Sequence, residues 1–238
     1  MKLLFIRHGD PDYTIDSLTE KGWKEAEFLS EKIAALDVRD FYVSPLGRAK
    51  DTASCTLKKN GRTATECKWL REFDVKIRRP DLHGEKIIPW DWLPQDMEKD
   101  LDLYDRERWN KTDIMRKGNV EEAYRWVCDG LDALLKRHGY ERDDMYYRVN
   151  EPNHDTIVLF CHFGVECVML SHLLNVSPMV LWHGLCAAPS SITSIYTEER
   201  RKGIAGFRVN EFGSTAHLYV AGEKPSFAAP VSYTHLQA

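Results

Sequence analysis

The sequence predicts an α/β protein, a three-layer α/β/α sandwich around a mostly parallel central sheet with an inserted cap segment. Three observations predict it. Short apolar runs of strand type alternate with helix-period segments up to about residue 72, and the same alternation returns after residue 155. Between them lies a stretch rich in proline, tryptophan and acidic residues that follows neither period.

The first run, Lys2 to Ile6, has the continuous apolar character of a buried strand. Thr19 then introduces a helix, with Trp23, Ala26, Leu29, Ile33 and Leu36 read as its inward face. A second strand is expected near Val38–Val43, a turn at Ser44-Pro45, a helix over about Leu46–Lys58, and a third strand over Ala64–Leu70. Strand, helix, strand, helix in this order argues for parallel pairing.

Between Phe73 and Asp155 only one helix is expected. It begins at Asn119, where Glu122 completes an Asn-x-x-Glu capping arrangement, and ends near Gly139. The remainder reads as an irregular insertion or lid, in which Trp90, Trp92, Trp109 and Trp126 line a pocket or form a small local core. Regular structure resumes with a strand at Thr156–Cys161, a helix over about Gly164–Leu174, and short strands at Ser191–Thr197, Gly206–Asn210 and His217–Val220. The expected organisation is one catalytic domain over 1–225 with 74–155 as its insertion, and a non-packing tail over 226–238.

Composition narrows the partners. With 43% hydrophobic and 29% charged residues and a formal charge of −4, the chain has no global basic field for nucleic acid or an anionic membrane. The apolar run at Leu3–Ile6 is too short for a signal-peptide core, and no stretch reaches membrane-spanning length, so a soluble cytoplasmic protein is expected. Six cysteines without a C-x-x-C pair read as buried thiols in a reducing compartment, neither a disulfide framework nor a thiolate zinc site.

The chemistry gathers where strands end. Ile6 is followed by Arg7-His8-Gly9, Val43 by Ser44-Pro45-Leu46-Gly47-Arg48, and Cys161 by His162-Phe163-Gly164. Ligands of open parallel sheets bind outside the carboxyl ends of the strands, so groups over 150 positions apart in sequence can converge there. Two arginines offer planar forks of donors that match phosphate oxygens. Their charge also opposes protonation of His8, leaving a ring nitrogen free to attack phosphorus. Gly9 and Gly164 are read as letting backbone approach the ligand. A leaving oxygen needs a proton, for which Glu72, after the third expected strand, and Asp74 compete. Ser191 and Thr193 are further candidates for the pocket lining or for an ordinary strand start.

Arg7-His8-Gly9, Leu18-Thr19-x-x-Gly22, Ser44-Pro45-Leu46-x-Arg48-Ala49-x-x-Thr52-Ala53, Leu70-x-Glu72 and His162-x-Gly164, in this order, resemble the histidine phosphatase superfamily, also called phosphoglycerate-mutase-like. The resemblance covers about Met1–Glu72 and Thr156–Val220, and the middle third fits only as the variable insertion where substrate choice usually resides. It implies that His8 becomes phosphorylated, that Arg7, Arg48 and His162 bind the phosphoryl oxygens, and that Glu72 protonates the leaving group and then assists water. It implies no metal and no cofactor, and a small phosphorylated substrate. Asp10 stands where glutamate is common, Thr14 where asparagine is usual, and Phe163 interrupts a frequent His-Gly-Gly.

A lone Arg-His-Gly is a weak signal, and a surface turn with Arg7 in an ion pair would explain it. That reading leaves unexplained why Arg48 and His162 occupy equivalent strand ends. His162 and Glu166 are four apart on an expected helix, but neither a His-Glu-x-x-His motif nor a third metal ligand accompanies them. The expected activity is phosphomonoester hydrolysis, against two alternatives: phosphoglycerate mutase-type transfer, and a silent protein that only binds phospho-ligands.

Overall fold

The computed structural model describes residues 1–79 and 82–226. Strand β1 (Lys2–Arg7) leads into a small ribbon, β2 (Pro11–Asp12) with β3 (Ser17–Leu18), and then helix α1 (Glu20–Ala34). β4 (Asp40–Val43), α2 (Gly47–Asn60) and β5 (Thr65–Glu66) follow. Next come a second ribbon, β6 (Ile77–Arg78) with β7 (Lys86–Ile87), two short helices, α3 (Pro94–Met97) and α4 (Asp113–Lys117), and the long α5 (Val120–Arg137). The chain continues through β8 (Tyr140–Asp143), β9 (Tyr146–Val149), β10 (Thr156–Cys161), α6 (Phe163–Leu174), α7 (Pro178–Gly184), β11 (Ile192–Arg201), β12 (Ile204–Ser214) and α8 (Ala216–Val220).

Eight strands form one sheet in the order β5-β4-β10-β1-β11-β12-β9-β8. The first four are mutually parallel, and β11 and β9 alone run against the common direction. Successive side chains of a strand alternate between faces, and the core divides accordingly. Leu3, Phe5, Ile157, Leu159 and Cys161 join α5, α6 and the cap residues in one apolar cluster. Leu4, Ile6, Val158 and Phe160 join Leu29, Ile33 and Ala53 of α1 and α2 in the other. Two cores on one sheet make the expected three layers. β1 and β10, buried on both faces, therefore read as unbroken apolar runs. α6 is buried around nearly its whole circumference, because cap elements cover the side away from the sheet.

Local chemistry explains most boundaries. The Thr19 hydroxyl accepts from the Gly22 N–H and starts α1 where the sequence reading places it. The inward face of that helix is rotated from expectation. Gly22 packs so closely on Asp10 that an added Cβ would lie 2.2 Å from its carbonyl oxygen, which turns Gly22 inward and leaves Trp23 38% exposed. At α5 the expected capping arrangement is replaced by a side-chain bond: Asn119, at φ 56°, donates through Nδ2 to Glu122 rather than accepting from the backbone.

Further expectations are corrected. Only Thr65–Glu66 of the expected third strand pairs with the sheet, and Lys68–Leu70 tightens into a 3₁₀ turn that buries Leu70. His217–Val220 is a helical turn, not a strand; only His217 and Leu218 of it are buried. Residues 140–149, expected as irregular, form a hairpin whose β9 pairs with β12 and extends the sheet. Among the cysteines Cys186 is exposed, against the expectation of buried thiols. Ser226, assigned to the tail, is buried, with its N–H 3.0 Å from the Glu25 carboxylate; the rest of that tail lies outside the described residues. No helix of the described residues is long and apolar enough to cross a membrane.

Candidate active site

Because β4, β10 and β1 are parallel neighbours, their carboxyl ends open on the same edge. The His8 N–H donates to the Cys161 carbonyl at 3.1 Å, and the Ser44 N–H to the Phe160 carbonyl at 2.9 Å, so the three strand ends are hydrogen-bonded to one another. Arg7, His8, Arg48 and His162 meet there as the sequence predicts, and each is at least nine-tenths buried.

His8 has a defined tautomer. Its Nδ1 lies 2.8 Å from the Gly9 carbonyl oxygen, which can only accept, so Nδ1 carries the proton and the Nε2 lone pair is left for chemistry. Burial holds the His8 pKa well below the usual histidine value, and Arg7 and Arg48 add to the effect against the Gly9 bond. The second ring, His162, lies 5.1 Å from the first, centroid to centroid. Its Nε2 is 2.7 Å from the buried Ser44 hydroxyl. Its Nδ1 is buried without a hydrogen-bond partner among the described residues, and so is Nε of Arg48. Burial, with His8, Arg48 and Arg7 nearby, also keeps His162 from protonating. Nε of Arg48 is a buried donor without an acceptor, and so is Nδ1 of His162 in the tautomer whose Nε2 accepts from the Ser44 hydroxyl; such donors are costly, and an anion is a ligand that satisfies them.

Arg48 is aimed by a residue that the sequence reading missed. Asp16, at φ 49°, accepts from Arg48 Nη1 at 2.5 Å and from the Gly47 N–H at 2.7 Å. Burial works to raise the Asp16 pKa, and its bonds to Gly47 and Arg48 overcome it and hold it low. An acidic residue on the Tyr13–Asp16 turn carries no sequence signal for a partner 32 positions away. Arg7 donates to the Ala187 carbonyl, and its guanidinium carbon is 5.9 Å from the Phe163 ring centroid.

The two candidate acids separate cleanly. Glu72 Oε1 accepts from the N–H groups of Phe73 at 2.8 Å and Val165 at 3.0 Å, which seats it against the first turn of α6 beside His162. Burial pushes its pKa up, against the Phe73 bond and the charge of Arg7. Asp74 is exposed and pairs with Arg71 at 3.2 Å. Glu166, considered only as a metal partner of His162, is buried behind Arg7. Burial raises its pKa to about 7 against a bond from Thr193 and the charge of Arg7. Thr193 thus supports Glu166, and Ser191 gives its carbonyl to the Arg7 N–H.

A family model decides what this arrangement belongs to: the histidine phosphatase superfamily (branch 1) matches residues 3–210. The chain belongs to that superfamily. A match 60 positions long, which takes in 21% of this chain and 30% of the relative, is 42% identical to the 2,3-bisphosphoglycerate-dependent phosphoglycerate mutase of Thermoplasma acidophilum. Among solved structures, a mutant phosphoserine phosphatase of Entamoeba histolytica in complex with phosphoserine is similar over 91% of this chain and 98% of its own, with TM-score 0.58 and 20% identity. A mycobacterial glucosyl-3-phosphoglycerate phosphatase is similar over 90% and 99%, with TM-score 0.57 and 18% identity. At these identities the structures speak for the fold.

The motif glycines of this superfamily member have packing reasons of their own. A Cβ on Gly9 would lie 2.7 Å from the Gly22 carbonyl oxygen, so the two glycines, one per motif, allow the β1 end and the start of α1 to touch. A Cβ on Gly164 would meet Glu72 Oε1 at 2.6 Å and Trp90 Cζ2 at 3.1 Å. Thr52 ties the third motif to the first: its hydroxyl accepts from the Gly9 N–H and donates to the Arg48 carbonyl.

Proposed function

We propose that this superfamily member hydrolyses phosphomonoesters through a phosphohistidine on His8, without a metal or cofactor. The observation that carries the reading is the neutral His8 ring, its lone pair on Nε2, set among Arg7, Arg48 and the unsatisfied Nδ1 of His162. Arg7, Arg48 and His162 take the three non-bridging oxygens of the phosphoryl group and spread its charge over fixed donors. His8 Nε2 attacks phosphorus as the bond to the leaving oxygen breaks, and the protonated Glu72 gives that oxygen its proton. Glu72, now a carboxylate, takes a proton from water as the water oxygen attacks phosphorus. The N–P bond breaks, inorganic phosphate leaves, and both groups return to their starting forms.

Hydrolysis is tested by phosphate release from an alkyl phosphate with and without chelator. The expected result is release at equal rates, and loss in chelator would revive metal catalysis. The short identity to a phosphoglycerate mutase supports a second reading, transfer to another oxygen instead of water. Interconversion of 2- and 3-phosphoglycerate faster than phosphate release would favour it.

Gly164→Ala should expose the role of Glu72. The added methyl overlaps the carboxyl and displaces it from the Val165 N–H. Displacement of a catalytic group by about 1 Å costs on the order of 10²-fold, and steady-state kinetics on an alkyl phosphate should show a fall in kcat of that order.

The residues before α5 supply the substrate-facing cap in this reading. Trp90 borders the pocket at Gly164, Trp92 and Trp109 are buried in the core, and Trp126 is 47% exposed.

A further inference from the structure

Three charged or ionisable groups of the pocket, Arg48, Arg7 and Glu72, each have an aromatic ring beside them. Tyr13 lies against Arg48, 5.3 Å from guanidinium carbon to ring centroid, and Phe163 against Arg7 at 5.9 Å. Trp90 borders Glu72, since a single point, the missing Cβ of Gly164, is in contact with both. The Trp90 and Phe163 rings meet edge to face with centroids 5.9 Å apart. All three keep exposed surface: Tyr13 is 65% exposed, and Trp90 and Phe163, packed on one side against the core, are half-buried.

Resting on the phosphohydrolase reading, we propose that the pocket selects phosphomonoesters whose leaving group carries a planar aromatic ring, bound against Trp90 and Phe163 with Tyr13 on the facing rim. The leaving oxygen must come within reach of Glu72, so whatever is attached to it passes the indole and phenyl rings on its way out. A ring gains area burial and an edge-to-face or offset contact there. A small leaving group that carries a carboxylate would shed water against the electron-rich faces of the rings, at a cost.

The geometry of this wall is fixed before substrate arrives. Trp90 Nε1 donates to the Phe73 carbonyl at 3.2 Å, and the backbone carbonyls of Trp90 and Asp91 accept from the buried Arg79. The Trp92 N–H donates to His183 Nε2 at 2.9 Å, and His183 Nδ1 donates to the Met179 carbonyl at 2.7 Å, which ties the wall to α7. Asp91, directly after Trp90, takes a left-handed backbone with φ 65°. A side chain held this way loses little freedom when a ligand stacks on it. Phe163 is set by its place, directly after His162 as the first residue of α6.

Three alkyl phosphates test this: benzyl and ethyl phosphate, whose leaving alkoxides are close in basicity, and O-phosphoserine. The expected result is a kcat/KM for benzyl phosphate about tenfold or more above the other two, the size of a stacking contact. Trp90→Ala and Phe163→Gly should each shrink the benzyl-to-ethyl ratio about fivefold or more, and Trp90→Phe should restore most of it. Damage to the fold would lower all substrates together and leave that ratio unchanged, so an unchanged ratio in variants with wild-type circular dichroism overturns the proposal. Preference for phosphoserine overturns it as well. Turnover of none of the three, with no phosphate on His8, would instead overturn the phosphohydrolase reading beneath it.

Discussion

His8→Ala lowers kcat for any phosphomonoester by about 10⁴-fold or more, while the inhibition constant of inorganic phosphate stays within a few-fold. The size follows from removing the atom that forms the covalent bond, a loss that other parts of a cooperating site do not replace. The retained affinity follows from the donors, which come from Arg7, Arg48 and His162 and do not depend on the His8 ring. His8 is 2% exposed and bonds through Nδ1 to its neighbour's carbonyl, so the alanine variant loses one backbone bond and a ring contact with His162. Thermal unfolding of the variant should therefore remain a single transition. Steady-state kinetics with phosphate as inhibitor would measure both quantities, and equal turnover by wild type and variant would refute the assignment of His8.

Glu72→Gln separates protonation from binding. Glutamine keeps a carbonyl oxygen to accept from Phe73 and Val165, so the seat at α6 survives while the proton donor is lost. General acid catalysis contributes about 10²–10⁴-fold, and the full loss should appear with alkyl phosphates, whose leaving alkoxides need the proton. Aryl phosphates with acidic phenols should lose far less. The pH profile carries the same information with a definite sign. The folded pKa of Glu72 lies above the ordinary glutamate value, so its acid form persists to higher pH than usual and activity falls as pH rises through that raised value. His8 must be neutral, and its pKa is depressed, so activity falls on the acid side only well below the usual histidine range. The Gln variant should lose the alkaline limb attributed to Glu72 and keep the acid limb of His8.

The parts of this molecule legible in the sequence are those governed by local period and strand ends. β10 was expected at Thr156–Cys161 and is found there, because a strand buried on both faces has a run of apolar residues and nothing else. Arg7, His8, Arg48 and His162 were brought together by one rule, that parallel strands open their carboxyl ends on one side. What escaped depends on contacts distant in sequence. Asp16 is an ordinary loop acid until the turn carries it to Arg48. Trp23 belongs to the apolar face by spacing alone, and the close packing of Gly22 on Asp10 turns it outward. The β8–β9 hairpin extends the sheet through β12, a partner more than 50 positions further on. Glu72 and Asp74 could not be separated two residues apart in sequence, yet one is seated at a helix start and the other in a surface ion pair.

The covalent intermediate is the most direct point of attack. Enzyme mixed with an excess of labelled phosphomonoester and quenched in alkaline denaturant, where a phosphorylated histidine survives, should carry acid-labile phosphate on His8 and on no other residue. Its amount should rise in Glu72→Gln when an aryl phosphate is used, because that variant forms the phosphohistidine but lacks the base that helps water remove it. Turnover of the substrate with no trapped phosphate on His8 in either protein, or label persisting in His8→Ala, would contradict the account.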